Sequence, residues 1–111
     1  MNGYTLSRSA VRYCAGIVEC TYGCPGTFAA ELWSGIVARA ERVVGSNYGD
    51  DPKAQEERAR LIEAVKQNLM NRWEHPYEQL ARKYELPLSL SSFKREKRKF
   101  CYELAKLAGL T

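Results

Sequence analysis

"SSFKREKRKFCYELAKLAG" (residues 91–109) sets five basic side chains and one acid between Phe93 and Phe100 and then continues as an apolar-periodic tail. Laid on a helix at about 100° per residue, Phe93, Phe100, Cys101, Leu104, Leu107 and Ala108 form one stripe. Ser91, Ser92, Lys94, Arg95, Arg98, Lys99 and Tyr102 fall largely on the other side, with Lys97 nearer the boundary. Ser89, Ser91 or Ser92 is suited to cap this helix, since a serine oxygen accepts from the free N–H groups of the first turn. Gly109 sits where a helix stops. The segment therefore predicts a long amphipathic helix with an apolar inner face and a basic outer one.

Working toward the N-terminus, "ELPLSL" (85–90) turns the chain, because Pro87 prevents a smooth helical continuation. Before it, "PYEQLARKY" (76–84) predicts a short helix with Tyr77, Leu80, Ala81 and Tyr84 inward. Asp51-Pro52 starts a longer helix, with aspartate as cap and proline at the first helical position. Its stripe is Ile62, Val65, Leu69 and Trp73, with Leu61 beside it and Glu56 and Glu57 early, and Pro76 ends it near Glu74. "GSNYGDD" (45–51), polar and glycine-rich, reads as the domain boundary.

Residues 1–49 predict a helical pair. In its first helix Ala10, Val11, Cys14, Ile17, Val18 and Thr21 recur at helical spacing after Ser7 or Ser9. "YGCPG" (22–26) breaks the chain. Thr27 is placed to cap the second helix, whose stripe reads Phe28, Leu32, Ile36, Ala40 and Val43, with Gly45 as its stop. The fold class is all-α: an N-terminal helical pair (1–49) for packing or oligomerisation, and a C-terminal three-helix unit (50–111). A two-helix hairpin cannot bury both faces alone, so the pair must pack on the C-terminal unit or on a second copy. A homodimer is the expectation.

The chain of 111 residues has a formal charge of +4. Residues 1–49 contribute +1 (four basic, three acidic), residues 50–75 −1 (five and six), and residues 76–111 +4 (eight and four). The excess thus sits in the last third, the footprint of a polyanion-binding end. "MNGYTLSRSAV" lacks the apolar run of a signal peptide, and no stretch reaches the ~18 apolar residues of a membrane span. A cytoplasmic protein of a bacterial host cell, with reduced cysteines and no membrane partner, is expected.

A short helix, a turn and a basic helix make a helix-turn-helix layout, whose second helix normally enters the major groove of DNA. Lys94 and Arg95 are read in the first turn, where cations oppose the helix dipole, so their placement points to binding rather than stability. "SSFKREKRKFCYELAKLAGL" (91–110) resembles the C-terminal helix of small phage-encoded transcriptional regulators of the ArpU/RinA late-gene type, which are in turn similar to region 4 of bacterial sigma factors. "RARLIEAVKQNLMNRW" (58–73) fits the helices that lead into such a motif. "LSRSAVRYC" (6–14) also looks like the openings of related phage proteins. The likeness covers about residues 50–111, and "ELPLSLSS" departs from a standard helix-turn-helix turn. It implies a phage or prophage DNA-binding regulator with double-stranded DNA as partner. Lys94, Lys97, Lys99 and Arg82 would contact phosphates, and Ser91, Ser92, Arg95 and Arg98 would lie at the bases or backbone. The alternative is a small helical adaptor whose basic face binds an acidic protein such as RNA polymerase.

Other chemistries fit less well. Cys14, Cys20 and Cys24, with Cys101 or His75 as a fourth ligand, have C-x5-C-x3-C spacing rather than the close pairs of zinc sites. Cys14 and Cys101 read as buried apolar thiols, and no metal or cofactor is expected. His75, the one histidine, sits at a helix end before proline and reads as a cap rather than a base. No glycine-rich phosphate loop and no G-x-S-x-G elbow occurs, and no enzyme activity is expected. Trp33 and Trp73 lie on or beside apolar stripes and read as core. Tyr102 falls on the basic face, to contact DNA or to shield the helix.

Overall fold

Five helices build the chain in the computed structural model, which describes residues 7–23, 26, 28–70 and 76–109. They are α1 (Arg8–Gly23), α2 (Phe28–Glu41), α3 (Pro52–Met70), α4 (Tyr77–Lys83) and α5 (Leu90–Leu107). No strand occurs among the described residues. The expected cap Thr27, the break at Cys24 and Pro25, and the end of the third helix with Trp73, Glu74 and His75 lie outside them.

The local signals act as their chemistry requires. Ser7 starts α1, its Oγ accepting from the Ala10 N–H at 3.1 Å, and Asp51 starts α3 through Oδ2 and the Ala54 N–H, also at 3.1 Å. Of the three serines suited to start α5, Ser89 does so, its Oγ accepting from the Ser92 N–H at 3.2 Å. α4 ends in a left-handed reversal: Glu85 has φ 52°, and the Leu86 N–H donates to the Ala81 carbonyl at 3.0 Å. This is the 6→1 bond of a Schellman cap, with glutamate where glycine is usual.

One apolar cluster joins both halves of the chain: Cys14, Ile17 and Val18 of α1, Val37, Ala40 and Val44 from α2 and its extension, and Leu61, Leu80, Phe93, Phe100 and Leu104. α1 packs along α2 and also touches α3 and α5, while α2 lies on α5. The inner side of the helical pair is thus covered by the C-terminal helices. Trp33 is half-buried against the same cluster.

The phase of α2 departs in part from expectation. Its buried side is Ala30, Val37 and Ala40, with Trp33 beside them, whereas Phe28 is 80% exposed and Leu32 57% exposed. Of the expected stripe, Ala40 is buried and Ile36 and Val43 are half-buried, whereas Phe28 and Leu32 face outward. Apolar residues occur nearly all round this helix, so a helical period fits more than one face, and packing against α1 and α5 selects one turned away from those first two residues.

Beyond Glu41 the helical path tightens into i→i+3 turns, with Arg42, Val43 and Val44 N–H groups donating three residues back at 3.1–3.3 Å. Gly45, at φ 63°, then reverses the chain. The end of α2 and the segment that reads as a linker are tied to α3. Arg58 donates to the Val44 and Arg42 carbonyls at 2.7 and 2.6 Å. Gln55 donates to the Gly49 carbonyl at 2.7 Å, and the Lys66 ammonium, nearly buried, meets Glu41 at 2.8 Å. A cation on the last carbonyls of a helix offsets their orphaned acceptors and the negative end of the dipole.

Candidate nucleic-acid interface

The helix-turn-helix-like element is α4, a connection over residues 84–89, and α5. That connection is longer than the three or four residues usual between such helices. Tyr77 braces it: its ring centroid lies 5.3 Å from that of Phe93, and its hydroxyl donates to the Leu88 carbonyl. Phe93, Phe100, Cys101 and Leu104 are buried as expected, together with Ala105 and, unexpectedly, Glu96.

The basic side chains divide into two sets. Lys94, Arg95 and Arg98 are exposed, as is Ser91, and none of the three forms an ion pair with a described acid. Lys106, absent from the sequence-based set, joins them on the outside; it follows Arg95 by eleven residues, about three helical turns on the same face. Tyr102, half-buried, lies between. Arg82 and Lys83 are exposed at the last turn of α4, just before the connection, with the Lys83 ammonium 5.3 Å from the Tyr84 ring centroid.

The other set points inward. The Lys97 ammonium donates to Asn68 Oδ1 of α3 at 2.7 Å. Lys99, which the helical wheel puts on the solvent side, instead folds onto Glu96 at 3.0 Å and reaches Ser46 Oγ at 3.4 Å; its side chain is only 14% exposed. The physical reason is Glu96 itself. Its carboxylate is buried and accepts the Gly45 N–H at 2.6 Å, and a buried charge needs a partner. Ser92 is half-buried and its hydroxyl accepts from Ser89 Oγ at 3.2 Å, as part of the helix cap.

Capping at Ser89 also corrects the dipole reading. With α5 starting at Leu90, Lys94 and Arg95 fall in the second turn, where the dipole penalty has largely faded. The first turn carries no acid, so the positive end of this helix is not neutralised by its own side chains. The two acids of α5, Glu96 and Glu103, are buried and half-buried. The outer face is thus left with Lys94, Arg95, Arg98 and Lys106 as its charges, all of one sign.

Three of the cysteines, Cys14, Cys20 and Cys101, are described. The Cys14 thiol donates to the Cys101 backbone carbonyl at 3.4 Å inside the core, while Cys20 is exposed. Burial pushes the Cys14 thiol up to about 11 and that of Cys101 to about 12. Among the described residues no group of three His, Cys, Asp or Glu side chains is arranged to hold a metal ion. No helix among them is long and apolar enough to cross a membrane. No protein-family model, curated protein or solved structure matches the chain.

Proposed function

We propose that the outer face of α5 binds double-stranded DNA and that the protein is a transcriptional regulator of the phage or prophage kind that its C-terminal segment resembles. The observation that carries this reading is the division of the basic residues. The fold uses Lys97 and Lys99 in its own interior bonds and leaves Lys94, Arg95, Arg98 and Lys106 outside without a described acidic partner. Clustered cations of one sign on one helix face provide the counterion-releasing term of nucleic-acid affinity. An α5 first turn free of acids accommodates a phosphate better than one bearing Glu or Asp.

In mechanism, Lys94 and Arg98 supply phosphate contacts and Arg95, nearest the helix start among the arginines, reads a base edge. Arg82, at the end of α4, adds a flanking phosphate contact. Ser91, exposed in the first turn, allows close approach of the backbone.

The test is a titration of the full chain against duplex fragments at several salt concentrations. Replacing both Lys94 and Arg98 by glutamine should lower the salt slope by about two units across all sequences. A full chain that binds no duplex would remove DNA as the partner, and a variant that binds as tightly as the wild type would remove this face as the site. Retention of an acidic protein by the same face would then favour the adaptor reading, with RNA polymerase as the first protein to try.

A further inference from the structure

The exposed side of α2 is not covered by the other described residues. Phe28 (80% exposed) and Leu32 (57% exposed) stand on it, and Glu31, Gly35, Ala38 and Arg39 are exposed with them. At about 100° per residue, Phe28, Leu32, Gly35 and Arg39 share one face, opposite the buried Ala30, Val37 and Ala40. Two large apolar side chains held in water on adjacent turns lose the burial free energy that a partner would supply.

The charges on this face identify that partner. Glu31 and Arg39 lie four residues to either side of Gly35, and neither is in an ion pair with a described residue. A face whose two opposite charges are symmetric about its midpoint is complementary to itself when a second copy is turned by 180° about that midpoint. Antiparallel pairing then sets Glu31 of each copy against Arg39 of the other, with Phe28 and Leu32 packing over the partner's helix. This is the self-matching pattern that a two-fold interface requires. An acidic or basic foreign partner would instead call for charges of one sign.

Gly35 is compatible with the same geometry. Glycine in a helix interior costs about 1 kcal/mol relative to alanine, yet a Cβ built at Gly35 meets nothing within 4 Å. No contact with a described residue therefore requires its side chain to be absent. At the crossing point of two helices, the missing Cβ lets the backbones approach closely.

We infer that the protein forms a two-fold symmetric dimer through the outer face of α2, with the helices antiparallel and crossing at Gly35. The inference does not depend on what α5 binds. Because α2 lies directly on α5, the pairing would join two basic faces in one particle. A single helix pair is at or below the low end of the ~1,200 Å² of a stable interface, so the dimer is concentration-dependent.

Sedimentation equilibrium of the full chain over a wide concentration range tests this, with folding of each variant checked by circular dichroism. The wild-type mass should rise from 12.6 kDa toward twice that value. Glu31→Arg alone and Arg39→Glu alone should each weaken association at least tenfold, and the double exchange should restore it. Gly35→Ala should raise the monomer's melting temperature while weakening association. A wild-type protein that stays monomeric at high micromolar concentration would overturn the inference. A dimer indifferent to both single charge exchanges would overturn it equally, since it would have to use another surface.

Discussion

The Glu96 carboxylate accepts a hydrogen bond at 2.6 Å from the backbone N–H of Gly45, 51 residues earlier in the chain. It thereby fixes the sharp turn after α2 to the middle of α5, and it draws the Lys99 ammonium off the outer face at 3.0 Å. Glu96→Ala leaves a buried N–H without an acceptor and a nearly buried ammonium without its counter-charge. The expected loss is about 2–4 kcal/mol, read from urea denaturation; a loss below about 0.5 kcal/mol would show that the turn is held by its other ties.

Gly45 itself has little tolerance for a side chain. Its φ of 63° is left-handed, and an added Cβ would stand 3.0 Å from Arg58 Cγ. Gly45→Ala should cost about 1–2 kcal/mol, measured by thermal melting.

At Glu85 the opposite change should help. It occupies the glycine position of the α4 cap at φ 52° and is exposed. Glu85→Gly should raise stability by about 0.5–1 kcal/mol if relief of left-handed strain outweighs the added freedom of the unfolded chain. A lower melting temperature would mean that it does not.

The two sets of lysines should separate experimentally. Lys94→Gln should reduce DNA affinity and its salt slope by about one unit without moving the melting temperature. Lys99→Gln should lower the melting temperature, because Glu96 then stays buried without its cation. Arg95→Ala should relax preference at one base pair, by about 1–3 kcal/mol for a bidentate contact. Equal effects of Lys94→Gln and Lys99→Gln on both readouts would contradict the division of roles.

Alkaline pH should act through the core thiols. Cys14 and Cys101 are raised from 9.0 to about 11 and about 12 by burial. In the unfolded chain they lose protons above about pH 9, while in the folded chain they keep them, so the unfolded state binds fewer protons there. Stability attributable to them is present below pH 9 and declines as pH rises toward 11–12. Denaturation midpoints from pH 8 to 10.5 in wild type and Cys101→Ala check this: the alkaline decline should be shallower in the variant. At pH 8 a thiol-selective reagent should label Cys20, which is exposed, well before Cys14 or Cys101.

Much of the fold is legible locally. The stripes of α1 and α5, the starts at Ser7 and Asp51, and the turn at Pro87 follow from periodicity and from backbone chemistry acting over a few residues. An all-helical chain with a basic outer face near its end is therefore readable from the sequence. The inward face of α2 is not, because Phe28, Ala30, Leu32, Trp33, Ile36, Val37 and Ala40 surround the helix and allow several phases.

Nor could the division among the lysines be read. Along the chain Lys94 and Lys99 are equivalent cations in one run, five residues apart. What distinguishes them is a carboxylate buried by its bond to a glycine N–H from a distant turn, and the need of that buried charge for a counter-ion. Amino-acid order determined which residues can carry charge and which are apolar. Only the tertiary structure decided which charges are neutralised inside and which remain for a partner, since burial and pairing are made by elements far apart in sequence.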